Sequence, residues 1–126
     1  MTHDEILALS ERELDAKVGE ALGYRRIDVS SWWFPGHIGG WGYLPVFSSD
    51  PYAASEVKAY IKKRGWGYHI EQPSAAAGED EPPCVYVWGL ADDVDYTAIG
   101  RPEETALCRA FLLIVEAEKA MKDRGK

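Results

Sequence analysis

The chain has 126 residues, 46% of them hydrophobic and 12% aromatic, which suits one globular domain over residues 1–126. A net charge of −7 excludes a general nucleic-acid binder, because neutralising phosphates takes a basic surface, and it argues equally against an anionic membrane surface. No stretch reaches the roughly 18 apolar residues of a membrane span, and Met1 to Glu5 lacks the basic start and apolar run of a signal peptide, so a bacterial-type cytoplasm is the expected location.

Thr2-His3-Asp4-Glu5 and Ser10-Glu11-Arg12-Glu13 are capping boxes, in which a hydroxyl and a Glu satisfy each other's free N–H groups. They predict a short helical turn, a break and a longer helix. Leu14, Val18, Ala21 and Leu22 form the apolar stripe of that helix, and Gly23 stops it. From Tyr24 to Val29, Ile27 and Val29 alternate with Arg26 and Asp28, the period of a half-buried strand.

Ser31 to Gly42 is unusual in composition. Between Tyr24 and Phe47 lie seven of the fifteen aromatic residues, and four of the twelve glycines lie between Gly36 and Gly42. Glycines permit tight turns, so Trp32, Trp33 and Trp41 can be presented on a hairpin or loop as a stacking platform for a flat ligand. The alternative is that these rings close one end of a small core. Tyr43 to Phe47 then reads as a short strand. Ser48-Ser49-Asp50 offers capping oxygens and Pro51 fits a first helical turn. Ala53, Ala54, Val57, Tyr60 and Ile61 share one helical face, Lys62, Lys63 and Arg64 suit its negative end, and Gly65 terminates it with Trp66 packing back.

Trp66, Tyr68 and Ile70 alternate with Gly67, His69 and Glu71 as another half-buried strand. Gln72 to Pro83 reads as a mobile loop, and Cys84-Val85-Tyr86-Val87-Trp88, apolar at every position, as a central strand covered on both faces. The two strands form a hairpin with a long tip. Ala91 to Gly100 reads as an acidic turn. Glu103 and Glu104 open a final helix buried along Ala106, Leu107, Ala110, Phe111, Ile114 and Val115, and Met121 to Lys126 is expected to be a frayed charged tail.

Three stretches in this order resemble the phage ABA sandwich domain family, small proteins encoded in phages and prophages. They are Ile6-Leu7-Ala8-Leu9 running into Arg12 to Val18, Pro45 to Asp50 followed by Ala53-Ala54, Val57 and Gly65-Trp66, and Ala106 to Ala110. The aromatic insert from Trp32 to Trp41 and the acidic loop from Gly78 to Glu81 depart from that pattern. The resemblance implies an α+β fold, a small antiparallel sheet with helices packed on its faces as an α/β/α sandwich, in the cytoplasm of a bacterial host cell. It carries no catalytic residues.

Several constellations bear on chemistry. Asp93-Val94-Asp95-Tyr96-Thr97 looks like the aspartate nucleophile motif of haloacid-dehalogenase-type phosphatases, a magnesium-dependent reaction. Only one helix and a tail follow, which leaves no room for that family's later lysine and acidic ligands; a solvated turn is the plainer reading. His3, His37, His69, Cys84 and Cys108 lack the close spacing of a structural zinc site, and both thiols sit in apolar runs that suit buried reduced cysteines. The glycines from Gly36 to Gly42 are not followed by Lys-Ser/Thr, as a phosphate-binding loop would be. Arg109, in an apolar helical run, is expected to snorkel or to pair with an acid such as Glu56.

The chain therefore reads as non-enzymatic, with no metal and no cofactor. The expected role is binding or sequestering a small nucleotide-type ligand, as in counter-defence, with Trp32, Trp33, Trp41 and Tyr43 stacking and Arg25 and Arg26 holding phosphate. The alternative is an interaction or structural module whose exposed rings form a homo-oligomer or dock a host protein.

Overall fold

The computed structural model describes residues 1–72 and 81–124; the loop expected from Gln72 to Pro83 falls largely outside them. Both capping boxes form. Thr2 accepts from the Glu5 N–H ahead of α1 (His3–Leu7), and Ser10 accepts from the Glu13 N–H ahead of α2 (Glu11–Leu22), with each Glu reaching back to its cap. Gly23 ends α2 at φ 104°, a left-handed conformation that costs a residue with Cβ about 1–2 kcal/mol.

Three two-residue strands follow: β1 (Arg25–Arg26), β2 (Trp32–Trp33) and β3 (Trp41–Gly42), joined antiparallel in that order. The strand expected from Tyr24 to Val29 is thus cut to two residues. Asp28 is the cause, since its Oδ1 accepts from the N–H groups of Ser30 and Ser31 at 2.9 and 2.8 Å and draws the chain into a turn. The next turn uses Gly39 and Gly40, both at positive φ, with the Phe34 N–H closing onto the Gly40 carbonyl at 2.9 Å. Tyr43 to Phe47 is not a strand. Pro45 has no N–H for a ladder, and the segment runs instead into a turn at Phe47–Ser49 that delivers Asp50 as cap.

α3 (Pro51–Lys63) starts with the Asp50 carboxylate accepting from the Tyr52 N–H and buries Ala53, Ala54, Val57 and Ile61. Gly65, at φ 76°, turns the chain so that Trp66 is buried. β4 (Gly67–Glu71), β5 (Cys84–Trp88) and β6 (Tyr96–Ile99) form a second antiparallel sheet with β5 in the centre. β6 replaces part of the acidic turn expected over Ala91 to Gly100. β5 is central but not covered on both faces: Val85 and Val87 are buried, Cys84 and Tyr86 are half-buried, and Trp88 is 39% exposed. Trp88 lies over Gly67, where an added Cβ would stand 2.6 Å from the indole ring.

α4 (Glu103–Arg124) is the element the others cover. It touches β5, β6, α1, α2 and α3, and from Glu104 to Ile114 every residue except Arg109 is buried. A helix apolar on nearly all sides belongs in the interior. Helicity continues through Arg124, so residues 121–124 are not a frayed tail, and 125–126 lie outside the described residues. The architecture is α+β, with four helices and two small antiparallel sheets among the described residues, and helices packed against the sheets.

Candidate functional site

Strand alternation decides how the aromatic segment is presented. Arg25, Trp33 and Trp41 are cross-strand partners in one row, and Arg26, Trp32 and Gly42 in the next. Successive strand residues point to opposite faces, so the rows look in opposite directions. Trp32 is 3% exposed and belongs to the core, whereas Trp33 is 53% and Trp41 64% exposed. The six residues expected at one ligand site are therefore split: Trp32 is core rather than platform, and Arg25, Trp33 and Trp41 stand on the face away from Arg26.

The Arg26 side has a cleft. A volume of about 760 Å³ opens between α2 and the β1–β3 sheet, bordered by Arg12, Asp15 and Lys17 of the helix and by Arg26, Trp32 and Tyr43 opposite. The Arg26 guanidinium lies 4.7 Å from the centre of the Trp32 ring, a cation–π contact that fixes it at the cleft wall. Tyr43 is 81% exposed at the rim, with Val29 and Val46 as apolar neighbours. Glu13 and Glu20 also border the space, so the cleft carries both signs. Lys17 is 3.8 Å from Glu20, an exposed pair of small energetic weight. Among the described residues neither Arg12 nor Arg26 forms an ion pair, so both guanidinium forks stay open to an anionic ligand.

The cleft floor is a buried polar anchor. The Asp15 carboxylate accepts from the Ser48 N–H at 2.8 Å, and the Thr105 hydroxyl donates to the Ser48 carbonyl at 2.7 Å, tying α2, the turn before α3 and α4 together. Burial pushes the Asp15 carboxyl above the usual range against the opposing Ser48 hydrogen bond. Cys108 lies beneath, fully buried, its thiol pushed far up by burial and then by Asp15 and Glu104. That makes it inert, as its apolar setting implies. Cys84 is free and half-buried. A smaller cavity of about 330 Å³ lies between α2 and α4, where Glu116 and Glu118 already pair with Lys119, Lys122 and Arg64.

Other candidate groups do not converge. Asp93 and Asp95 sit exposed in the β5–β6 turn, with Asp93 at φ 57°. Asp92 does the local work, accepting from the Val94 N–H at 3.1 Å and from the Tyr96 hydroxyl, whose pKa is pushed up to about 12 by burial and by this bond. Among the described residues no three His, Cys, Asp or Glu side chains gather as a metal site. Arg109 does not pair with Glu56, whose carboxylate accepts from the Tyr24 hydroxyl at 2.8–2.9 Å; its own Nη1 donates to the Ile99 carbonyl at 3.3 Å.

Arg12 and Lys17 were not expected at a site. On an amphipathic helix they read as solvated positions, and nothing local marks which solvated face borders a cleft. The outward face of the second sheet was hidden too. There His69 stacks on Tyr86 at 6.1 Å, and the Tyr86 hydroxyl donates to Glu71 at 2.9 Å. The uniformly apolar run of β5 masked its alternation. No family model, curated protein or solved structure matches this chain.

Proposed function

We propose that this protein is a non-enzymatic binder of a small anionic, ring-bearing ligand of nucleotide type, held in the cleft between α2 and the β1–β3 sheet. The observation that carries the reading is Arg26, stacked on Trp32, with no acidic partner among the described residues and facing the same space as the exposed Tyr43 ring. A guanidinium held by an indole keeps its fork aimed without losing its hydrogen-bonding capacity. Tyr43 supplies a stacking surface at low entropic cost, and Arg12 a second cation. Trp32 acts here by positioning Arg26. A sequestering role, with the phage origin and host-cell cytoplasm that the family resemblance implies, suits such a site, because sequestration needs affinity rather than a reactive group.

Calorimetric titration with mononucleotides, cyclic dinucleotides and ADP-ribose tests this. We expect at least one to bind, with Arg26→Ala and Tyr43→Ala each weakening it tenfold or more. Binding that survives both substitutions, or no binding by any of the three classes, overturns the reading.

A further inference from the structure

Trp33 and Trp41 face away from the cleft, and the ligand proposed for it leaves them unused. They are register partners, so their side chains stand side by side on the outward face of the β2–β3 hairpin. Ile27 and Ile38, at the neighbouring turns of the same small sheet, are also exposed. From Val29 to Ser49 the chain has no Asp, Glu, Lys or Arg, although 28% of all its residues are charged. Exposed neighbouring tryptophans in an uncharged segment are the composition of an interface centre.

We propose that this face is a weak, two-fold interface between two copies of the chain. Charge selects the occupant. Arg25 is the one charged residue in the row with Trp33 and Trp41, too little positive charge to neutralise a nucleic acid and the wrong sign for a basic peptide. Two copies, each with net charge −7, repel one another everywhere that acids dominate, and they meet at least electrostatic cost through their uncharged hairpins. Arg25, in register with Trp33, and Asp28, in the turn after β1, are both exposed and put one cation and one anion at this end of the sheet, so their charges offset there. Size sets the strength. Two half-exposed indoles offer about 250 Å², against about 800 Å² per partner in a standard interface, so the association is weak and concentration-dependent.

Sedimentation of the full chain over rising concentration reads the result. We expect monomer at low and dimer at high concentration, with Trp33→Ser and Trp41→Ser each weakening dimerisation at least tenfold. Trp88→Ser, at the exposed indole of the other sheet, should leave it unchanged. A chain monomeric throughout, a dimer that persists in both hairpin variants, or one dissolved by Trp88→Ser overturns the proposal. So does a monomer that floats with phosphatidylcholine vesicles through Trp33 and Trp41, which would make the face a lipid contact. Neither hairpin tryptophan borders the cleft, so loss of dimer with ligand binding intact, or the reverse, separates this interface from the ligand site.

Discussion

Asp15 shows how one residue joins stability to the site. Its carboxylate caps the Ser48 N–H at the cleft floor, yet burial raises its pKa. A raised pKa means the folded state binds the proton more tightly than the unfolded chain. The stability this gives is complete below the unfolded value, about 3.9, and is lost as pH rises through the folded one. Asparagine keeps the acceptor without the charge. In urea unfolding, Asp15→Asn should therefore gain on the native chain as pH rises across that window; a constant or shrinking difference contradicts the assignment. Asp15→Ala removes the acceptor, strands a buried N–H, and should cost about 1–3 kcal/mol. The sequence shows Asp15 only as a polar residue between Leu14 and Ala16. Its partner lies at Ser48, and no local pattern links the two.

At the level of elements, legibility follows the range of the interaction. α1, α2 and α3, with the stops at Gly23 and Gly65, are local, set by capping boxes, Asp50-Pro51 and apolar stripes, and they form as the sequence implies, whereas α4 runs past its expected end to Arg124. The short strands depend on partners. Tyr24 to Val29 loses most of its expected strand to the Asp28 turn, and β6 hides in an acidic stretch because its pairing with β5 sets it. Tryptophan burial is longer-range still: Trp32 and Trp33 are adjacent and alike, and only the β2 register places one in the core and the other in solvent. Gly89 tests the join of β5 to the core. It sits at φ 132°, and an added Cβ would stand 2.9 Å from the Trp66 backbone. Gly89→Ala should cost roughly 2 kcal/mol or more in thermal or urea unfolding, from left-handed strain and this clash together. Asp50→Ala removes the α3 cap and should cost about 0.5–2 kcal/mol by the same measurement.

For the whole molecule, the β1–β3 sheet separates the two surfaces proposed to bind. One face closes a cleft with open guanidinium groups, and the other presents an uncharged aromatic pair. Salt should move the two in opposite directions. At about 0.15 M the Debye length is near 8 Å, so screening weakens capture of an anion by Arg26 and Arg12. The same screening relieves repulsion between chains of charge −7 and strengthens dimerisation. Titration and sedimentation at low and moderate salt should show this crossing, and parallel trends would contradict the division. The most direct test of the cleft is thermal melting with the best nucleotide ligand, comparing Arg26→Ala with Trp33→Ser. A ligand at 100 times its Kd stabilises the fold by about 2.7 kcal/mol, a clear rise in Tm. We expect that rise in the native chain and in Trp33→Ser, and its loss in Arg26→Ala. A rise kept by Arg26→Ala but lost in Trp33→Ser would place the ligand on the opposite face and contradict the cleft.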